Sequence, residues 1–137
     1  MSDAYPSIAP APGQQLPPLR IDVTTRLIVA GALASRDFQD VHHDVAGAHA
    51  AGSPDIFMNI LTTNGLVGRY VTDWAGPAAR LESINIRLGA PSRPGSTLEF
   101  SGQVTGVSED GRGATVEIRG ANALGDHVTG TVEVSWS

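Results

Sequence analysis

The sequence predicts an α+β domain in which strands pack on one side of a single long, apolar helix. Three observations carry that expectation. Residues from about 54 to 73 are the longest helical candidate, with Ile56, Ile60, Leu61, Leu66, Val67, Tyr70, Val71 and then Trp74 spread around much of the circumference. Only Asp55, Arg69 and Asp73 carry charge there, so the helix is expected to be largely buried. Behind it come four strand-like segments separated by turn-forming residues. Finally, 137 residues with 41% hydrophobic and 17% charged side chains suit one domain with a substantial core.

The elements follow in order. Five of the nine prolines (Pro6, Pro10, Pro12, Pro17 and Pro18) fall in the first eighteen residues, so residues 1–19 read as a flexible arm, lying along a partner or simply disordered. The single domain is expected to span 20–137. Arg20 to Ala32 is rich in Ile, Val, Thr and Leu and predicts a strand, with Gly31 as a bulge or bend near its end. Ser35 to Asp44 lacks either period and reads as a loop. A short Ala-rich helix follows at about 44–51, with Asp44 as its N-cap and Gly52 as its stop. Ser53 is the expected cap of the long helix, Pro54 suits its first turn, and Gly76-Pro77 ends it. Strands are then expected around 81–88, 98–104, 115–123 and 128–136. A sheet curled on one helix leaves open edges, so association with another subunit is the default.

Composition narrows the function. Nine arginines, no lysine and a net charge of −5 are the opposite of what a general nucleic-acid binder needs. Zero cysteines exclude a disulfide framework, a thiolate nucleophile and any zinc–cysteine site. No apolar stretch approaches the ~20 residues that cross a bilayer, and the first twenty residues lack the charge and apolar run of a signal peptide. No membrane partner is expected, and the expected location is cytoplasmic.

The densest polar cluster is Asp37-Phe38-Gln39-Asp40-Val41-His42-His43-Asp44. The spacing of Asp37 and His42 does not stack them on one helical face. A reversal of the loop would bring a carboxylate and an imidazole around one water, a pair able to share proton traffic. Caps and turn contacts are the competing explanation of so polar a loop. Adjacent histidines rarely aim at one point, so no metal site is assigned to His42, His43 and Asp44.

Here the residues resemble a family. Asp37-x-x-x-x-His42-x-Asp44, followed by Ala46 and Ala48, is similar to the hydratase motif of the MaoC-like (R)-specific enoyl-CoA hydratases. The resemblance continues through Gly65–Trp74, through Ile86–Gly95 with its Pro-x-x-Pro-Gly ending, and through the hairpin residues 122–125 and 128–132. It implies a hot-dog fold, in which an antiparallel sheet wraps a long central helix. It also implies reversible addition of water across the double bond of a 2-enoyl-CoA, with no cofactor. Asp37 and His42 carry over as the pair that holds and activates the water. A backbone N–H between Met58 and Leu61, assigned to Asn59, carries over as the donor to the thioester oxygen. The family's Gly before Asp is Arg36 here, and its His-Gly at the helix start is Met58-Asn59.

Closer wording in 36–44, 55–62 and 70–77 is similar to the small catalytic subunits of bacterial steroid side-chain hydratases. That likeness implies a heteromer with a second MaoC-like polypeptide, a homodimer being the alternative, acting on a steroid acyl-CoA. Arg87 and Arg93, flanking the turn after a strand, are the candidate contacts to CoA phosphates. A hot-dog thioesterase and a non-catalytic acyl-CoA-binding subunit are the competing functions.

Overall fold

The computed structural model describes residues 9–137. Its elements are β1 (Gln15–Asp22), α1 (Thr25–Ala34), a short 3₁₀ turn (Asp40–His42), α2 (Val45–Ala50), α3 (Ile60–Ala75), β2 (Ala79–Leu88), β3 (Thr97–Val107), β4 (Gly113–Asn122) and β5 (Gly125–Trp136). The five strands form one antiparallel sheet in the order β1-β3-β4-β5-β2. The inner face of this sheet lies on α3. Leu98, Phe100, Val104, Val116, Ile118, Val128, Val132 and Val134 alternate inward along β3–β5 and meet Val67, Tyr70, Val71 and Ala75 of the helix. A long helix wrapped by an antiparallel sheet is the arrangement expected of a hot-dog fold. Trp74 and Trp136 close one end edge-to-face at 5.9 Å, and the Trp136 indole donates to the Ala75 carbonyl. Among the described residues, no helix is long and apolar enough to cross a membrane.

Three expectations need correction. Residues 15–19, assigned to the arm, open β1, an edge strand that among the described residues pairs only with β3 and carries an irregularity between Leu16 and Leu19. Pro17 and Pro18 sit at that irregularity, where an edge tolerates residues without an N–H. Residues 1–8, the rest of the arm up to Ser7-Ile8, lie outside the described residues.

The expected strand from Arg20 to Ala32 stops at Asp22 and gives way to α1. Thr24 caps this helix, its hydroxyl accepting from Leu27 N at 3.0 Å, and Ile28 and Ala32 bury one face at a four-residue spacing. Tertiary burial at helical period thus outweighs the β-propensity of Thr, Ile and Val. Gly31 is accordingly no bulge. It lies inside α1 where that helix touches α3: a Cβ there would come within 2.1 Å of Thr62 Oγ1.

The central helix begins at Ile60, not Pro54, and its cap is Asn59, not Ser53. The Ser53 hydroxyl donates to Asp55 O instead. Backbone groups of the intervening residues are committed elsewhere: Phe57 N donates to Val41 O and Met58 N to Ser92 O. Those bonds hold 54–59 out of the helix, against the loop and the turn after β2. Burial is also one-sided. Val67, Tyr70 and Val71 are enclosed, while Ile60 and Leu61 are 52% and 51% exposed.

Candidate active site

The loop between α1 and α2 reverses. Arg36 adopts a left-handed conformation (φ 57°), and Asp37 N donates to Ala32 O at 2.9 Å, so the chain turns sharply off the end of α1. The 3₁₀ turn that follows brings His42 back. Its Nε2 lies 3.3 Å from Asp37 Oδ2. The His42 side chain is almost fully enclosed and that of Asp37 only 15% exposed. His42 Nδ1 sits 2.8 Å from Phe57 O, an acceptor, so Nδ1 carries the proton. In the neutral ring Nε2 therefore offers a lone pair toward the carboxylate, leaving a place for a donor such as water over both atoms. The Phe57 ring meets the imidazole edge-on at 5.1 Å and fixes its plane.

Both groups line a cavity of about 410 Å³. Its other walls are Gln39, Phe57–Ile60, Leu88–Pro91 and His127. Asn59 and Ile60 stand at the N-terminus of α3. Among the described residues the backbone N–H groups of Asn59, Ile60 and Leu61 donate to no protein acceptor, as first-turn amides cannot bond within the helix. The helix dipole adds partial positive charge at the same place. A carboxylate, an imidazole lone pair and unbound amides thus share one apolar-walled cleft. That arrangement can orient water, exchange a proton with it, and receive negative charge on a carbonyl oxygen.

The Asp37 carboxyl is held below the ordinary carboxylate range, chiefly by a hydrogen bond from the Asn59 side chain. Loss of hydration opposes that effect, while the Gln39 amide and the neighbouring His42 add to it.

Two contributors escaped the sequence. The Asn59 side chain, 1% exposed with its residue, donates to Asp37 Oδ2 at 3.1 Å as well as capping α3. The other is His127, buried on the cavity wall, its Nδ1 2.7 Å from Ala90 O and its Nε2 2.8 Å from Thr63 Oγ1. Nδ1 must donate to the carbonyl, and in the neutral ring the Thr63 hydroxyl donates to Nε2. Burial pushes its pKa down. A signal for Asn59 existed, since Asn three residues before Thr is a good cap spacing. None existed for His127.

Arg87 and Arg93 are not brought to the cavity. Arg87 is exposed near the end of β2, and Arg93 is half-buried in the following turn with its Nε enclosed and unpartnered among the described residues. His43 and His49 lie on backbone carbonyls of Phe38 and Pro54.

The fold and this cleft define a hot-dog domain of the hydratase type, and comparison with known proteins gives its family: the MaoC-like domain family matches residues 7–125, and the chain belongs to it. A Mycobacterium tuberculosis protein, the 3-oxo-4,17-pregnadiene-20-carboxyl-CoA hydratase beta subunit, is 58% identical over 123 residues, 90% of this chain and 94% of that protein. The crystal structure of the ChsH1-ChsH2 complex from the same organism contains a chain that superposes with a TM-score of 0.89 at 54% identity, covering 93% of this chain and 98% of that one. The (R)-hydratase from A. caviae involved in PHA biosynthesis shares the fold at a TM-score of 0.85 and 21% identity, over 97% and 100% of the two chains.

Proposed function

We propose that this chain is the catalytic subunit of a heteromeric enoyl-CoA hydratase that adds water across the 2-enoyl double bond of a steroid side-chain CoA thioester. The observation that carries the reading is the facing of Asp37 Oδ2 and His42 Nε2 at 3.3 Å beside unbound helix-terminal amides. The high identity to a steroid-CoA hydratase subunit supports the substrate class, and its kinship with the ChsH1-ChsH2 complex supports a second MaoC-like partner.

In this mechanism Asp37 and His42 each accept one hydrogen of a bound water, which aims a lone pair of its oxygen at the β-carbon. As that C–O bond forms, the water proton passes to Nε2, and the π electrons move onto the thioester oxygen as an enolate. The Asn59 N–H donates to that oxygen, where donors already in place act without reorganising. The imidazolium then returns its proton to the α-carbon, so the elements of one water are added and the enzyme is unchanged.

Ile60 and Leu88 leave an apolar rim half open, which the second subunit covers and extends for a polycyclic acyl group. Arg87 and Arg93 are the cations assigned to the CoA phosphates, a role that planar guanidinium suits. The cytoplasm, where CoA thioesters are formed and consumed, is the assigned compartment.

The test uses the chain co-purified with its second subunit, assayed by loss of enoyl-thioester absorbance on a steroid and a linear enoyl-CoA. Asp37→Asn and His42→Ala are each expected to abolish turnover with the fold intact. Full activity in both variants, or release of free thiol in place of a 3-hydroxyacyl-CoA, overturns the reading. Preference for the linear substrate removes the steroid assignment alone.

A further inference from the structure

The side chain of Asn59 ties three segments together, and every one of its hydrogen-bonding positions is occupied. Its Oδ1 accepts from Thr62 N at 3.2 Å and from the Thr62 hydroxyl. Both partners are donors, which fixes the orientation of the amide: Nδ2 must point the other way. There one N–H goes to Ser35 Oγ at 2.9 Å and the other to Asp37 Oδ2 at 3.1 Å. Ser35 is itself turned for this. Its hydroxyl donates back to Gly31 O at 2.7 Å, so a lone pair faces Asn59. The end of α1, the start of α3 and the Asp37 carboxylate are thereby locked into one frame. Oδ2, the oxygen gripped by Asn59, is the one that faces His42.

We propose that the Asn59 side chain is a positioning group for the Asp37–His42 pair, setting the carboxylate's rotamer and holding it as a proton acceptor. This rests on the hydratase reading of that pair. The carboxylate is nearly enclosed and has few other restraints. Gln39 N approaches Oδ1 at 3.4 Å, a weak contact. Without Asn59, Asp37 has nothing from α3 to hold it, and its side chain is free to rotate away from Nε2. The lowered pKa of Asp37, attributable first to this bond, agrees with the same role. Of the other titratable groups nearby, His42 faces Asp37 directly, neutral His127 lines the same cavity from β5, and Asp40 pairs with His43 at 3.8 Å. No arginine lines the cavity.

Two substitutions separate positioning from capping, and both keep the backbone N–H assigned to the thioester oxygen. Asn59→Ser retains a good N-cap but has no second donor long enough to reach Asp37. Asn59→Asp retains the Oδ1 acceptor for Thr62 and replaces the donor with a second carboxylate. In the co-purified complex, Asn59→Ser is expected to lower kcat by up to about 100-fold, as misplacement of a reacting group does, with KM little changed and the melting temperature near that of wild type. Asn59→Asp is expected to lower kcat as well and to move the acid limb of kcat/KM to higher pH, because two adjacent carboxylates repel and hold a proton between them to a higher pH than a single carboxylate does. Wild-type kcat and an unmoved acid limb in both variants would overturn the proposal while Asp37→Asn remained inactive. Retained turnover in Asp37→Asn would remove the underlying reading, and this one with it.

Discussion

Gly31→Ala tests the contact on which the α1–α3 junction depends. An ideal Cβ at Gly31 falls 2.1 Å from Thr62 Oγ1, 2.9 Å from its Cγ2 and 3.1 Å from its Cβ. An ordinary carbon–oxygen contact lies more than an ångström farther out, so either Thr62 rotates or the two helices separate. Rotation breaks the hydroxyl's bond to Asn59 Oδ1, and separation strains the Asn59 Nδ2 bond to Ser35 Oγ at the end of α1. Overpacking of this kind costs about 1–3 kcal/mol. Ala is favoured over Gly within a helix by about 1 kcal/mol, which offsets part of it. The net expectation is a destabilisation of up to about 2 kcal/mol, read as a fall in melting temperature of roughly 4 °C for each kcal/mol. The second arm of the assay is Thr62→Ala. Removing Oγ1 and Cγ2 takes away the two closest approaches and leaves the 3.1 Å contact to Cβ, so Gly31→Ala in that background becomes close to neutral. The double-mutant cycle should show a coupling of about 1–2 kcal/mol. If Gly31→Ala instead raised stability by the full propensity difference in both backgrounds, the two helices would not meet at these residues and the frame around Asn59 would be misdrawn.

Two further outcomes follow from buried and strained groups. His127 has its pKa lowered from an ordinary 6.5 by burial, so the unfolded chain takes up a proton near pH 6.5 while the folded chain does not. Its contribution to stability is full above about pH 6.5, declines as pH falls below that value and levels off once the folded-state pKa is passed. Urea denaturation of wild type and His127→Gln across that range should show a shallower pH dependence in the variant, and parallel curves would contradict the buried neutral ring. Arg36 holds a left-handed backbone (φ 57°), at a strain of roughly 1 kcal/mol for a residue with a Cβ. Arg36→Gly relieves it, and after the larger entropy of an unfolded glycine is subtracted, a gain of up to about 0.5 kcal/mol is expected by thermal melting. A loss of stability would show that the Arg36 side chain makes a contact worth more than the strain.

What the sequence revealed depended on whether a local pattern agreed with the final packing. Strands β3, β4 and β5 were legible because one face of each carries the buried residues, as in the alternation of Leu98, Phe100 and Val104, and β2 by its partly buried Ile84 and Ile86. Asp44 was legible as a cap because its carboxylate accepts from Ala46 N in the way a capping residue does. The start of the central helix was not legible, because Ile56 and Met58 are buried in an extended segment, and burial there mimics a helical face. What distinguishes the two is where Phe57 and Met58 send their amides, and Val41 and Ser92 are distant in sequence. The same holds for α1, whose β-branched residues favour a strand until Thr24 caps them into a helix packed on α3. For the site, the pairing of Asp37 with His42 followed from a family motif and not from spacing. Position 36 marks that motif's imprint in the backbone: where the family has glycine, the chain still turns left-handed although it now carries arginine. His127 reaches the cavity only because Gly89 and Ala90 run on past β2 and bond back to the carbonyls of His127 and Asp126.

The two rims of the sheet are not equivalent. An incoming chain aligned with β1 would find no amide hydrogen at two consecutive positions, Pro17 and Pro18, and a kinked ladder beside them. Aligned with β2, it would meet ten residues without a proline, whose outward-facing amides all carry hydrogen, with one irregularity between Leu81 and Ser83. Lateral growth is therefore one-directional. Two such domains that join along β2 present only proline-blunted flanks to the outside, so the process ends at a closed pair and does not run on into a fibre.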